Sequence, residues 1–234
     1  MDEKKQNAKG IAGRLVGLAR KNLRLIVTCV CVLLFLAILE DVYDVEATKL
    51  DSAAYWLIVE HLRAPWLTPT MESFSALATP ATLVVLLLAI AAFAPGKRPG
   101  MCCAVNLVLV VAVNQALKFI IQRPRPDGFR LAEATGFSFP SGHSMVAMAF
   151  FGLLVWFVWN YEKNRKLRCL YAAGFAFVIA MIGISRIYLG VHYASDVLGG
   201  FCLSIAWLAV YTRVAVPLFI DEDNPFLRPI TRIP

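Results

Sequence analysis

Residues 185–196 read Ser185-Arg186-Ile187-Tyr188-Leu189-Gly190-Val191-His192-Tyr193-Ala194-Ser195-Asp196. An arginine, a histidine and an aspartate stand together here between two apolar runs, roughly 167–184 and 197–214. Each run approaches the ~20 mostly apolar residues that cross a bilayer as a helix. Upstream the arrangement recurs. Pro140-Ser141-Gly142-His143 opens an apolar run over roughly 144–159, and Lys118 closes one over roughly 101–121, followed by Arg123-Pro124-Arg125-Pro126. Two more runs, roughly 23–39 and 74–93, bring the total to six. The run at 144–159 is short by itself and starts inside the Pro140 motif.

These runs predict an all-α integral-membrane bundle of six transmembrane helices. The chain is 59% hydrophobic with a mean hydropathy of +0.66, above the roughly half-apolar composition of soluble domains. One phosphate-chemistry domain over 23–216 is expected, with a basic cytoplasmic tail at 1–22 and a C-terminal cytoplasmic tail at 217–234. The stretch 42–73 is the longest connection. Its Ala53–Val59 segment is apolar but too short to span, and Pro65 and Pro69 punctuate the residues beyond it. It predicts amphipathic helices in the outer interface, with Trp56 and Trp66 at headgroup depth. A signal peptide at the first run is the alternative, but the bulky, acidic Leu39-Glu40-Asp41-Val42-Tyr43-Asp44 offers no small-residue cleavage site.

The net charge of +7 would suggest nucleic acid on a soluble protein, but its placement speaks for topology and against that partner. The N-terminus carries Lys4, Lys5, Lys9, Arg14, Arg20, Lys21 and, at the start of the first span, Arg24. Lys97 and Arg98 follow the second, and Lys163, Arg165, Lys166 and Arg168 follow the fourth. With six spans all three segments share one face, and the excess of cations makes it cytoplasmic. The acidic loop with Asp44, Glu46, Asp51 and Glu60 falls outside. Arg123, Arg125 and Arg130 break the trend by standing outside, which suggests a ligand. The six cysteines lie in or beside apolar runs without C-x-x-C spacing and read as small apolar filler.

Counting spans brings Lys118, His143, Arg186, His192 and Asp196 to the outer ends of their helices. These residue types suit phosphoryl transfer, where catalysis is mostly positioning and charge stabilisation. Arginine grips phosphate with a planar fork and lysine supplies a point charge. Ser141 and Gly142 precede a predicted helix, whose N-terminal N–H groups can receive an anion, and Gly142 lets phosphate approach the backbone. His192 needs its far nitrogen protonated in order to attack phosphorus. Asp196, four residues on, would share a helical face with it and fix that tautomer. His143 is then available as general acid. Taken singly, each residue has a plainer reading: an interfacial polar anchor, a snorkelling cation, or a helix cap. His61 lacks such neighbours and reads as structural. It is the combination on one face that favours a site, because ionisable groups at membrane depth are costly.

Lys118 with six residues before Arg125-Pro126, then Pro140-Ser141-Gly142-His143, then Ser185-Arg186 with five residues before His192 and three before Asp196, resemble the signature of the type 2 phosphatidic acid phosphatase superfamily. The motifs occupy residues 118–196, and the span pattern extends the likeness to about 22–215. The resemblance implies that His192 is a nucleophile forming a phosphohistidine, that Asp196 orients it, and that His143 is the acid. Lys118, Arg125, Arg186, Ser141 and Gly142 would bind phosphate. Arg123-Pro124 is a second Arg-Pro step; the family spacing selects Arg125 and leaves Arg123 as a supporting or headgroup contact. No metal or cofactor is expected, and the sequence offers no acidic cluster for one. The implied activity is hydrolysis of lipid phosphates or diphosphates, such as undecaprenyl diphosphate, phosphatidylglycerol phosphate or phosphatidic acid. The implied place is the outer face of a bacterial cytoplasmic membrane, with lipid substrate and membrane lipids as partners. A lipid phosphotransferase using the same phosphohistidine is a second reading. A catalytically silent lipid-binding protein or transporter is a third, from another class. The physiological lipid and the oligomeric state stay open.

Overall fold

The computed structural model describes residues 17, 22–44, 47–94, 98–128 and 130–220. Among these there is no strand. The helices are α1 (Leu23–Asp44), α2 (Lys49–Ala54), α3 (Thr68–Ala76), α4 (Pro80–Phe93), α5 (Arg98–Ile121), α6 (Gly142–Tyr161), α7 (Arg165–Tyr188), α8 (Ala194–Val214) and the short α9 (Val216–Phe219). Five of them, α1 and α5 to α8, are long and apolar enough to cross a membrane. Their outer surfaces carry exposed large apolar side chains such as Leu33, Val108 and Phe177. Exposed apolar surface on this scale belongs against lipid, and the chain is a multi-pass membrane protein. The N-terminal cations up to Lys21, Lys97 and most of the C-terminal tail lie outside the described residues.

The second expected span differs from its sequence reading. The run from residue 74 to 93 is not one helix: α3 ends at Ala76, and α4 leaves at a bend of 56°. Pro80 has no N–H to continue the α3 ladder, and the residue before a proline is pushed out of the helical region. Thr79 accordingly is extended (φ −77, ψ 152). Alone, the 14 residues of α4 reach roughly 21 Å at 1.5 Å per residue, short of a ~30 Å hydrocarbon core. The fourth run begins where expected, inside the Pro140 motif, at Gly142.

The packed centre is α6, whose Met145, Ala147, Ala149, Phe150 and Leu153 are fully buried. Lipid tails are as apolar as leucine, so membrane helices associate through close packing and polar fasteners. Asn106 on α5 donates to Ala149 O at 2.8 Å and accepts from Trp207 Nε1 of α8 at 2.8 Å. Ser204 of α8 donates to Met145 O at 3.0 Å. These bonds join α5, α6 and α8 in the core. Gly199 brings Phe139 against α8, since a Cβ there would stand 2.7 Å from the Phe139 ring. That contact seats the loop leading into α6. α1 runs antiparallel to α8: Ile38 lies near Gly199 at one end, and Arg24 donates to Thr212 Oγ1 at 3.1 Å at the other.

The connection after α1 packs against the bundle. After α2 the chain makes a wide π-helical segment, Tyr55–His61, and then α3, which packs on α7. Trp56 and Trp66 are exposed, but Asp51, Met71 and Ser75 are buried against the bundle. Tyr188 of α7 anchors the segment: its hydroxyl donates to Ala64 O at 2.8 Å and receives Ala64 N–H at 3.0 Å. His61 donates from Nδ1 to Trp56 O at 2.8 Å, with its ring 4.0 Å from that of Trp56.

Candidate active site

The ends of α5, α6, α7 and α8 bring the sequence motifs together at one end of the bundle. Arg186 lies in the last turn of α7. The helix then closes in a Schellman arrangement: Gly190 N–H reaches Ile187 O at 3.0 Å and Val191 N–H reaches Arg186 O at 3.2 Å. Gly190 takes φ +72 to do so, the left-handed conformation that favours glycine at this position. The turn sends His192 back over the helix end. α8 starts only at Ala194, so His192 is not on the same helix as Asp196, contrary to the sequence reading. The two still meet, with Nδ1 3.2 Å from Asp196 Oδ2, because Asp196 is the third helical residue and its Oδ2 caps Tyr193 N–H at 2.9 Å. One carboxylate caps the helix and holds the imidazole.

The geometry assigns the tautomer of His192 from both sides. Nε2 stands 3.1 Å from Arg125 NH1, and a guanidinium only donates. Nδ1 faces a carboxylate, which only accepts. The proton therefore sits on Nδ1, and Nε2 keeps its lone pair toward the site. Ser138 Oγ completes the cluster, 3.2 Å from Nδ1 and donating to Asp196 Oδ2. Burial is the main cause that lowers His192 to a pKa of about 4; Asp196 opposes this, and Arg125 and Arg186 add to it. The imidazole is thus neutral at physiological pH.

Arg125 is half-buried and braced by three carbonyls, Gly136 O at 3.0 Å, Val191 O at 2.8 Å and Thr135 O at 2.9 Å. Lys118 donates to Phe137 O at 2.9 Å. Arg186 donates through NH1 to Ser75 Oγ of α3, and its buried Nε has no hydrogen-bond partner among the described residues. Around His143 stand Arg186, His192, Lys118 and Arg125.

Ser141 has structural duties: its N–H goes to Asp196 O at 3.0 Å, and its Oγ caps α6 by accepting from Ser144 N at 3.4 Å and Ser144 Oγ at 3.0 Å, while its own O–H can still donate. The N–H groups that α6 leaves unpaired are those of Gly142 and His143. Gly142 is small for a packing reason. A Cβ there would stand 3.0 Å from Asn114 Oδ1, and Asn114 Nδ2 holds Pro140 O at 3.0 Å.

The structure also separates the two arginines. Arg123 is buried away from His192 Nε2, with NH1 on Asp196 Oδ1 at 2.6 Å and Ser195 Oγ at 2.7 Å, NH2 on Asp51 Oδ2 at 2.9 Å, and its guanidinium 4.1 Å over the Tyr193 ring. Sequence reasoning missed Asp51, Ser195, Ser138, Ser75 and Asn114. Only Asp51 carried a local signal: Thr48-x-x-Asp51 is a capping box, with Asp51 N donating to Thr48 Oγ1 at 3.2 Å and Thr48 N to Asp51 Oδ2 at 3.0 Å.

Residues 99–219 match the PAP2 superfamily. The chain belongs to the PAP2 superfamily. Among PAP2 proteins it is 32% identical to phosphatidylglycerophosphatase B of Bacillus subtilis over 183 residues, covering 75% of this chain and 89% of that protein. It is 31% identical to human dolichyldiphosphatase 1 over 127 residues, about half of each chain (49% and 53%). The crystal structure of the first transmembrane PAP2-type phosphatidylglycerolphosphate phosphatase, from Bacillus subtilis, superposes with a TM-score of 0.69 at 28% identity, covering 80% of this chain and 94% of that one. The PAP2 match begins near the start of α5. It therefore holds Lys118, Arg125, His143, Arg186, His192 and Asp196, while α1 to α4, with Asp51 and Ser75, lie outside it.

Proposed function

We propose that this chain is an integral-membrane phosphatase that removes phosphate from lipid mono- or diphosphates through a phosphohistidine on His192. The observation that carries the reading is the doubly fixed tautomer of His192, with Nε2 beside Arg125 at 3.1 Å and Nδ1 on Asp196 at 3.2 Å. The relatives named above, with their lipid phosphate and diphosphate substrates, support the substrate class.

In the proposed reaction the phosphate settles among Lys118, Arg125, Arg186 and the Gly142 and His143 N–H groups. Nε2 attacks phosphorus in line, Asp196 stabilises the imidazolium that forms, and His143 protonates the leaving oxygen. Water then attacks the phosphohistidine, with His143 accepting its proton. Three cationic side chains supply the charge stabilisation, and no metal is invoked. Ser141 sets the start of α6, and its hydroxyl, which accepts from Ser144, can donate its own proton to the phosphate.

Six spans complete the reading, with α3 and α4 together as the bent second one and the segment from α2 to α3 at the interface. The site end then faces outward. Arg24, Arg98, Lys163, Arg165, Lys166, Arg168 and Arg213 gather at the opposite end of the bundle, which positive-inside bias makes cytoplasmic. The phosphate reaches the site at headgroup level while its acyl or prenyl chain stays in the bilayer. The test is rapid quench with ³²P-labelled phosphatidic acid. Wild type should form a base-stable, acid-labile phosphoenzyme and His192→Ala none; label surviving in the variant would put the nucleophile elsewhere.

A further inference from the structure

Asp51 belongs to α2, outside the stretch that matches the PAP2 superfamily, yet it is only 3% exposed and sits behind the His192–Asp196 pair. Its Oδ1 accepts from Ser195 N at 2.8 Å. Its Oδ2 accepts from Ser195 Oγ at 2.8 Å and Arg123 NH2 at 2.9 Å. Arg123 therefore lies between two carboxylates, its NH2 arm on Asp51 and its NH1 arm on Asp196 Oδ1. Asp196 Oδ2 is left to His192 Nδ1, Ser138 and Tyr193 N–H.

This division of the fork matters, because an arginine facing one carboxylate tends to take both its oxygens. An Arg123 released from Asp51 could turn its second arm onto Asp196 Oδ2 and compete with His192 for it. We propose that Asp51 is a positioning residue for catalysis: by holding one arm of Arg123 it reserves Asp196 Oδ2 for His192. The first outer connection thereby takes part in setting the nucleophile. The proposal rests on the phosphohistidine reading above. The groups facing His192 are Asp196 from α8, Arg125 from the α5–α6 loop, Arg186 from α7 and His143 from α6. Asp51 touches none of the phosphate-binding groups and so should not alter phosphate affinity.

The test uses the full chain purified in detergent, with ³²P-labelled phosphatidic acid in rapid quench and product inhibition by inorganic phosphate as a probe of the phosphate site. Asp51→Asn should slow phosphoenzyme formation by roughly tenfold or more, the scale of coupling within a shared polar network, with the inorganic-phosphate inhibition constant within about threefold of wild type. Thr48→Ala removes the α2 cap but keeps the Asp51–Arg123 bond, and should leave both quantities within about threefold. The double variant Asp51→Asn/Arg123→Gln removes the stray arm as well, and should be faster than Asp51→Asn alone. An unchanged rate in Asp51→Asn, an equal slowing in Thr48→Ala, or a double variant slower than the single would each overturn the proposal. A wild type that forms no phosphoenzyme would overturn the parent reading too, and so is told apart from failure of the positioning role alone.

Discussion

Replacing Asp196 by asparagine tests the reasoning on His192 most directly, because the side chain keeps its shape and loses one acceptor oxygen. The amide has two orientations. With its NH₂ toward Arg123 NH1, two donors would meet at the 2.6 Å now spanned by an ion pair, so that orientation is closed. With its oxygen toward Arg123, the NH₂ faces Tyr193 N–H and His192 Nδ1, now 2.9 and 3.2 Å from Oδ2. Tyr193 then loses its cap, leaving a buried donor unsatisfied at about 1–3 kcal/mol. His192 must accept at Nδ1, which moves its proton to Nε2, against Arg125 NH1. The reacting nitrogen loses its lone pair. Loss of the correct tautomer in a histidine–aspartate pair of this kind costs roughly 10³–10⁴ in rate, about 4–5 kcal/mol of barrier at 1.36 kcal/mol per decade. The assay is single-turnover phosphoenzyme formation, with product inhibition by inorganic phosphate to report that the phosphate site persists. An asparagine variant within about tenfold of wild type would refute the tautomer argument.

Other expectations rest on the same geometry. His192 is buried and neutral, with a pKa of about 4 against 6.5 in the unfolded chain. Between those values the unfolded state binds the extra proton, so stability falls as pH drops from 6.5 to 4, by up to roughly 3 kcal/mol, and the loss levels off below. Melting curves in detergent should show a smaller loss in His192→Gln than in wild type, and parallel curves would refute the assignment. If Lys118, Arg125 and Arg186 meet the phosphate charge as proposed, turnover of phosphatidic acid should survive excess EDTA and be inhibited by vanadate; loss in EDTA that Mg²⁺ restores would count against metal-free chemistry. For sidedness in a cysteine-free background, exposed Glu133→Cys in the loop before α6 should react with a membrane-impermeant maleimide in intact cells. Lys163→Cys, which spares the Asn164 cap of α7, should react only after permeabilisation. The reverse pattern would put the site in the cytoplasm.

By itself the sequence determined the helical membrane class and, to within about five residues, the ends of the five long apolar helices, and it singled out residues that the structure gathers at one end of the bundle. The reasons are local: a bilayer demands long apolar runs with internally satisfied backbones, so a charged residue at the end of a run stands out. His143, Arg186, His192 and Asp196 were legible for that reason. The break before Pro80 had its proline in plain view, but apolar character alone could not weigh it against a continuous run. What only tertiary structure decided were relations between distant segments. Arg123 and Arg125 are two residues apart and chemically identical, yet one is buried between Asp51 and Asp196 and the other reaches His192 Nε2. That Ser141 N–H meets Asp196 O, 55 residues on, and that its Oγ caps α6 through Ser144 is visible only in the folded chain. Asp51 lies 145 residues before Asp196, in a stretch that reads only as an acidic outer loop with a helix cap. Hydrogen bonds and ion pairs act over about 3 Å, so which polar groups find each other depends on how the helix ends converge, and no local pattern records that.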